Sequence, residues 1–421
     1  MTGSLTRSTG MPPGGEPREI APGRHPMAEP AYRAMWSAYL LANIGVWIQT
    51  VGAAWLMTTL TSDALPVALV QTATTLPTLL IGVPAGSLGD RVDRRRLVLV
   101  TQAWMVASVV LLAVLTLLGV MTPWLLLVFT FALGAGSAMN TPTWAALLPD
   151  IVSRSQVPTA ISMNSAGFNI ARAIGPAIGG FVVAAYGAAA SFLLVGAAFL
   201  ATFGFVLRWR PRLHRVDQDH PREPFARAML TGLQFAWRER TQRIVLARSI
   251  IWMLCASVLW GLLPLVARRD LGLNAGGYGF LVTCVGLGAV AGSFALPRLR
   301  RRWSTNSLLI TYIIVFAAML LTLAWIRSLP VIWLMLALGG AAWTSSNQNF
   351  QIAVQMHAPG WVRARAIATY ILTFQGGQAI GSAVWGGVAE RAGDPVALSL
   401  AATGLIGGLI AAVRWPVQDP K

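Results

Sequence analysis

Apolar residues run along this chain in long unbroken blocks, separated by short polar stretches. Twelve such blocks can be read, near residues 34–60, 65–89, 96–119, 123–148, 157–186, 190–208, 244–267, 276–297, 307–326, 330–352, 364–389 and 395–414. A helix crossing the hydrocarbon layer needs about 20 mostly apolar residues, and each block is of that order. Alternation with period two, the mark of a membrane β-barrel, is not seen. The pattern therefore predicts an all-α integral membrane protein with twelve transmembrane helices. Pro77, Pro84, Pro142 and Pro176 fall inside the blocks; neighbouring membrane helices re-satisfy the backbone groups that such breakers free.

The polar stretches carry arginine unevenly. One alternate set of loops holds Arg91, Arg94, Arg95, Arg96, Arg154, nine arginines from Arg208 to Arg243, then Arg298, Arg300, Arg301, Arg302, Arg363 and Arg365. The other set holds only Arg268, Arg269, Arg327 and Arg391. Positive charge stays in the cytoplasm, so both termini are expected there. Of the 421 residues 55% are hydrophobic and 11% charged, against about 25% charged in soluble domains. This excludes a soluble protein, and the hydrophobicity excludes a disordered one. The net charge of +17 is spread between spans and not gathered on one soluble basic face, so no nucleic-acid partner is expected. Cys255 and Cys284 sit inside the seventh and eighth runs, without disulfide-framework or metal spacing. Residues 1–30 lack the apolar core of a signal peptide and read as a cytoplasmic tail, as do residues 416–421. Met27 is an alternative start.

The chain also repeats itself. Gly82, Ala85, Gly86 and Ser87 recur as Gly288, Ala291, Gly292 and Ser293; Arg94-Arg95-Arg96 recurs as Arg300-Arg301-Arg302. Ala173-Ile174-Gly175 recurs as Ala379-Ile380-Gly381, and Gly187 as Gly393, all at an offset of 206. A common register over three regions implies two six-helix halves, residues 31–207 and 244–415, which an even number of spans makes parallel repeats. The basic linker between them, 208–243, puts Phe225, Met229, Leu233 and Trp237 on one helical face, suiting an amphipathic helix at the cytoplasmic membrane surface.

Gly86-Ser-Leu-Gly89-Asp90-Arg91-Val-Asp93-Arg94-Arg95-Arg96 resembles the signature loop between helices two and three of the major facilitator superfamily. The stretch Asn164 to Gly180, with Arg172, Gly175, Pro176, Gly179 and Gly180, is similar to the fifth-helix motif of its exporters. With Leu148-Pro149-Asp150 before it, the chain most resembles the enterobactin-exporter-like subgroup, also called transmembrane secretion effectors. The resemblance implies a multi-pass monomer in the bacterial plasma membrane, carrying a small-molecule substrate by alternating access, with the proton gradient as the energy source and no cofactor. It implies that Asp90 faces the start of helix eleven near Trp361 to Arg363, where a helix N-terminus favours a carboxylate. With Gly86, Gly89, Arg91 and Arg94 it would form a conformational latch. Leu296 stands where Asp90 would recur, so the latch is asymmetric.

Arg172 lies about sixteen residues into the fifth run, about 24 Å by helical rise. A charge at such depth costs at least about 2.5 kcal/mol and needs a partner or a cavity. No Asp or Glu lies within the apolar cores, so Arg172 either braces the Pro176 kink or attracts an anionic substrate group. Asn43, Trp47 and Gln49 in the first run are further polar or amphipathic residues inside spans. So are Asn140 and Trp144 in the fourth, Trp252 and Trp260 in the seventh, and Trp343, Ser346, Asn347, Gln348 and Gln351 in the tenth. The resemblance implies that helices one, four, seven and ten line the central cavity, where amides and indoles suit an aromatic, mostly uncharged or mildly anionic solute. No phosphate-binding GxxxxGK[ST] loop is present, and neither a nucleophile triad nor paired carboxylates lie inside the spans, so an enzyme is not expected. Asp63, Asp90, Asp150 and His357, all near helix ends, are the titratable candidates for a coupling proton; the alternative is that the substrate itself carries the proton or charge. The reading is a secondary active exporter of a small amphipathic metabolite, siderophore or drug; a transport-inactive sensor or scaffold, or an importer, are its alternatives. Asp90→Asn is expected to leave membrane insertion intact and cut flux sharply; wild-type rates in that variant would remove the latch.

Overall fold

Where each apolar run meets an arginine cluster or a glycine, the helix ends. The computed structural model describes residues 25–89, 93–148, 151–153, 155–208 and 233–416. Its helices are α1 (Pro30–Leu60), α2 (Ala64–Gly89), α3 (Arg94–Leu117), α4 (Pro123–Leu147), α5 (Val157–Arg208) and α6 (Arg240–Ala256). They continue as α7 (Val258–Leu265), α8 (Ala275–Arg300), α9 (Thr305–Trp325), α10 (Leu329–His357), α11 (Arg363–Ala392) and α12 (Asp394–Arg414). α5 has 52 residues, about 78 Å by helical rise, and breaks at Gly187 into two limbs, each one crossing. α6, α7 and the π-wound turn Val266–Asp270 together make one more. Among the described residues the count of twelve crossings holds.

Local chemistry sets several boundaries. Asp93, inside the signature loop, caps α3 by accepting from the backbone N–H of Arg95 at 2.8 Å and of Arg96 at 3.2 Å. Asn274 caps α8 through Gly277 at 3.0 Å, and Ser304 caps α9 through Ser307 at 3.2 Å. Each cap satisfies a backbone donor that the helix itself leaves free. Nine helices among the described residues, α5 and the α6–α7 unit counted once each, are long and apolar enough to span by themselves. α11 is not among them although it has 30 residues. Its polar content (Thr369, Thr373, Gln375, Gln378) belongs to a helix that faces a cavity.

The packing repeats as the sequence does. α1 packs on α5 as α6 and α7 pack on α11; α2 on α4 as α8 on α10; α3 on the second limb of α5 as α9 on α12. The halves join along two seams, α2 with α11 and α5 with α8. Glycines mark the equivalence. Gly187 (φ 83°, ψ 168°) and Gly393 (φ 88°, ψ 157°) turn the chain identically between crossings, in a backbone region essentially reserved for glycine. Gly180 lies against the backbone of Ala275 and Gly279 on one seam, and Gly386 against Ala68 and Leu65 on the other. These two are also 206 apart, a pair that the sequence comparison did not mark.

Large apolar side chains such as Trp104, Phe181, Tyr186, Phe294 and Ile410 are exposed on the outside of the bundle, as a lipid-facing surface requires. In the linker, residues 233–238 are helical. Leu233 and Trp237 are exposed while Ala236 is buried and Phe235 meets Trp361 edge-on at 6.2 Å, so the Leu233–Trp237 face points away from the protein. Phe225 and Met229 lie outside the described residues.

Cys255 and Cys284 are free and buried, so a thiol-reactive dye reports unfolding in detergent. Gly187→Ala and Gly393→Ala are each expected to cost about 1–3 kcal/mol and lower the apparent Tm by a few degrees. Gly407→Ala, with no neighbour within 4 Å of an added Cβ, is expected not to lower it.

Candidate functional site

Where α10 and α11 pass the middle of the first limb of α5, a cavity of about 340 Å³ lies between the halves. Trp343, Thr344, Asn347, Gln348 and Gln351 of α10 line it, with Tyr370, Ile371, Phe374 and Gln375 of α11 and Arg172 of α5. The spacing explains the wall: Trp343, Asn347 and Gln351 are successive i, i+4 neighbours on one helix face, as are Tyr370 and Phe374. Trp343 is the hub of an aromatic group, with ring centroids at 6.3 Å to Trp252, 5.9 Å to Trp260, 6.0 Å to Phe316 and 6.1 Å to Phe374. Trp47 of α1 reaches Trp260 of the other half at 6.3 Å. Trp252, almost wholly buried, donates from Nε1 to Asn347 Oδ1 at 3.2 Å, and Tyr370 donates to the Asn347 carbonyl at 3.0 Å. Gln348 donates to Ser293 at 3.1 Å. The wall is thus braced from behind, and the Trp260 indole N–H is buried without a partner.

Arg172 supplies the charge. It is 9% exposed, donates from Nη1 to Thr344 Oγ1 of the opposite half at 3.0 Å, and lies 5.9 Å from the centre of the Trp47 ring. Its Nε has no partner. The ion pairs found among the described residues, Arg269–Asp394 and Arg327–Asp270, lie at the far end of the bundle. A hydroxyl and an aromatic face are therefore what Arg172 has, and neither neutralises it. A cation held this way beside an aromatic chamber can accept an anionic group with large gain, because desolvation has already been suffered.

The structure divides the sequence candidates. Trp47, Trp252, Trp260, Trp343, Asn347, Gln348, Gln351 and Arg172 are brought together. Asn43 instead donates to the Tyr39 carbonyl on its own helix at 2.7 Å. Asn140 accepts from Thr101 at 3.3 Å and Gln102 at 3.5 Å, and buried Trp144 stacks on Tyr39 at 6.3 Å. Both remain inside the N-terminal half. Gln49 and Ser346 are buried and do not line the cavity. Thr344 of α10 and Tyr370, Phe374 and Gln375 of α11 were missed; for the last three the signal was α11, too polar for a lipid-facing span. Gly86 and Gly89 lie in the last turns of α2, and Arg94 opens α3. Asp90 and Arg91 lie outside the described residues. Leu296, at the repeated position of Asp90, is buried.

The glycine motif of α5 has two faces. A Cβ on Gly175 would meet Trp47, and one on Gly179 would lie 3.0 Å from the Ile48 backbone, so these two seat α1. Gly180 faces the other way, with its added Cβ 2.8 Å from Gly279 Cα on α8. Beyond it, at the arginine-poor end, Trp55 stacks on Tyr278 at 6.0 Å. Arg268 bonds Thr58 at 3.2 Å over the Trp55 ring, and the Leu65 N–H donates to Glu390 at 2.8 Å. The cavity lies on the arginine-rich side of this seal.

A family described as transmembrane secretion effector matches residues 21–421. The staphyloferrin A transporter of Staphylococcus aureus is 25% identical over 264 residues, 62% of this chain and 66% of that protein. The multidrug efflux pump Tap of Mycolicibacterium fortuitum is 24% identical over 366 residues, covering 85% of this chain and 88% of Tap. Among solved structures, the nucleoside transporter NupG superposes with a TM-score of 0.75 at 12% identity, over 91% of this chain and 98% of that one. A bacterial homologue of the lysosomal transporter Spinster, inward-facing and occupied, gives 0.70 at 15% identity, over 93% and 96%. At these identities the structures share the fold.

Gly180→Leu would place a side chain where two backbones touch. Overpacking of this kind costs about 1–3 kcal/mol, enough to shift the sealed population roughly tenfold or more. A cysteine in place of buried Thr58 is expected to be protected from a membrane-impermeant thiol reagent in the parent and labelled in the Gly180→Leu variant.

Proposed function

The chain belongs to the transmembrane secretion effector family of major facilitator transporters, and from that premise we propose that it exports a small, aromatic, anionic or amphipathic solute. A siderophore or drug fits the names of its relatives, one a staphyloferrin A transporter and another a multidrug efflux pump. The observation that carries this reading is Arg172: a buried guanidinium, unneutralised by any carboxylate found near it, in the wall of a tryptophan-lined chamber.

The arginine bias puts the rich end in the cytoplasm, with both termini. The chamber then lies on the cytoplasmic side of a closed outer seal, the arrangement that loads a solute for export. A solute carboxylate would take up the free donors of Arg172 while its rings stack on Trp343 and Phe374, bridging the two halves. Rocking the halves about the α2–α11 and α5–α8 seams would carry the opening to the other face. The loop around Asp90 would latch the cytoplasmic side in that second state. A proton moving inward is the energy source, and the monomer is the transporting unit.

The test uses inside-out vesicles and one aromatic scaffold supplied as a free carboxylate and as its neutral ester. With an inward-acid gradient the carboxylate is expected to accumulate, and a protonophore to abolish this. Arg172→Gln is expected to weaken carboxylate transport roughly tenfold to a hundredfold, the scale of about 1.5–3 kcal/mol for hydrogen bonds to a charged group, and to spare the ester. Uptake confined to right-side-out vesicles would overturn export, and equal loss for both solutes would overturn the anion-binding role.

A further inference from the structure

At the arginine-poor end, one half of the protein caps a helix of the other. The first backbone N–H groups of a helix have no partner within it, and a side-chain acceptor close by in sequence commonly serves one of them. Asn274 does this for α8, accepting from Gly277 at 3.0 Å. α2 is served from across the protein. The N–H of Leu65, in its first turn, donates to Oε2 of Glu390 at 2.8 Å, and Glu390 belongs to the last turn of α11. The two residues are 325 positions apart and lie in opposite halves.

Packing brings the two groups within reach. Gly386 and Glu390 are i, i+4 neighbours on one face of α11. A Cβ on Gly386 would lie 3.2 Å from Leu65 Cα and closer still to the Ala68 side chain, so the missing side chain lets the start of α2 approach the carboxylate. Further along, Thr72 donates to the Ala379 carbonyl at 2.8 Å, which sets the two helices antiparallel. Charge adds to the fit. A carboxylate in the last turn of its own helix meets the negative end of that helix's dipole, whereas the start of α2 presents a positive end. Glu390 is therefore disfavoured within α11 and favoured against α2. Of the charges close to the cap in sequence, Asp63 and Arg391 are exposed, and Asp394 is buried and turned to Arg269 of its own half at 3.6 Å. The companion seam lacks the device: Ala184 of α5 holds the position 206 before Glu390, beside Gly276 in the first turn of α8.

We propose that Glu390 is a positioning residue of the transport cycle, a charged cap by which the C-terminal half holds α2 and keeps the arginine-poor face shut. While the cap is made, it favours the state in which the chamber opens toward the arginine-rich side. Parting of the halves at this end breaks it and gives both the carboxylate and the Leu65 N–H to water. Because water then takes over both groups, the bias is that of an exposed charge at a helix end, about two- to fivefold in population. Its effect is on the balance between the two faces, whichever way solute moves.

The experiment needs neither solute nor flux, so it can fail while export stands, and the reverse. Full-length protein with Cys255→Ala and Cys284→Ala is placed in lipid nanodiscs with spin labels on cysteines replacing Val120 and Ser328. Both positions are exposed, in arginine-poor loops of opposite halves. The distance distribution between them reports whether this face is shut. Glu390→Gln, which keeps the shape and removes the charge, is expected to raise the ratio of long to short distances about two- to fivefold. Glu390→Lys, which sets a cation against the positive helix end, should raise it further. Raising salt from about 0.01 M to about 1 M should narrow the gap between the parent and the Gln variant, since screening weakens a contact of charge and leaves a steric one alone. A Gln variant with the parent's distribution would overturn the cap. Equal shifts for Gln and Lys, or a gap indifferent to salt, would overturn it too, because either marks a loss of packing and not of charge.

Discussion

In hydrocarbon, two helices gain nothing by hiding apolar surface from water, so what joins them is the closeness of their backbones. In this protein that closeness is provided by hydrogen atoms standing in for side chains. Gly180 meets Gly279 on one seam, and Gly386 meets Ala68 and Leu65 on the other. Within the C-terminal half, Gly288 and Gly340 bring α8 and α10 together in the same way. The cavity, the seal and the position of Arg172 all depend on these contacts, because they fix how far apart the halves stand.

The repeat is kept in the backbone and abandoned in the chemistry. Gly187 and Gly393 turn alike, and equivalent helices pack alike. Yet the aromatic hub around Trp343 is on α6, α7, α9, α10 and α11, with a single charge contributed by α5. The corresponding polar residues of the N-terminal half, Asn43, Asn140 and Trp144, are spent on their own half's interior. The polarity of α11 and the ions at the arginine-poor end are likewise one-sided. A duplicated frame has an N-terminal part whose polar residues pack inward and a C-terminal part that holds the chemistry.

Span number, repeat and orientation signal were all legible from sequence, because each follows from a one-dimensional rule: length, offset, charge bias. Arg172 was legible as an expense that needed a reason. What could not be read was direction. Nothing in the order of residues says that Trp144 turns to Tyr39 while Trp343 turns to the cavity, since both sit on helices with the same period and the same i, i+4 amide neighbour. Thr344 as the Arg172 partner, and Asp394 as a buried acid, depend on which helices pass each other in space. The pairing of α5 with α10, and of the turn after α7 with α12, is a tertiary fact.

The one-sided chamber has a consequence for how a solute would travel. If both walls contributed equally, the passenger would be torn between two surfaces as they swung apart. Here nearly all of its contacts belong to α10 and α11, so it would ride with one moving body while the other acts as a shutter. Selectivity could then drift from solute to solute by changes at Asn347, Gln351, Phe374 or Gln375, leaving the hinge of glycines untouched.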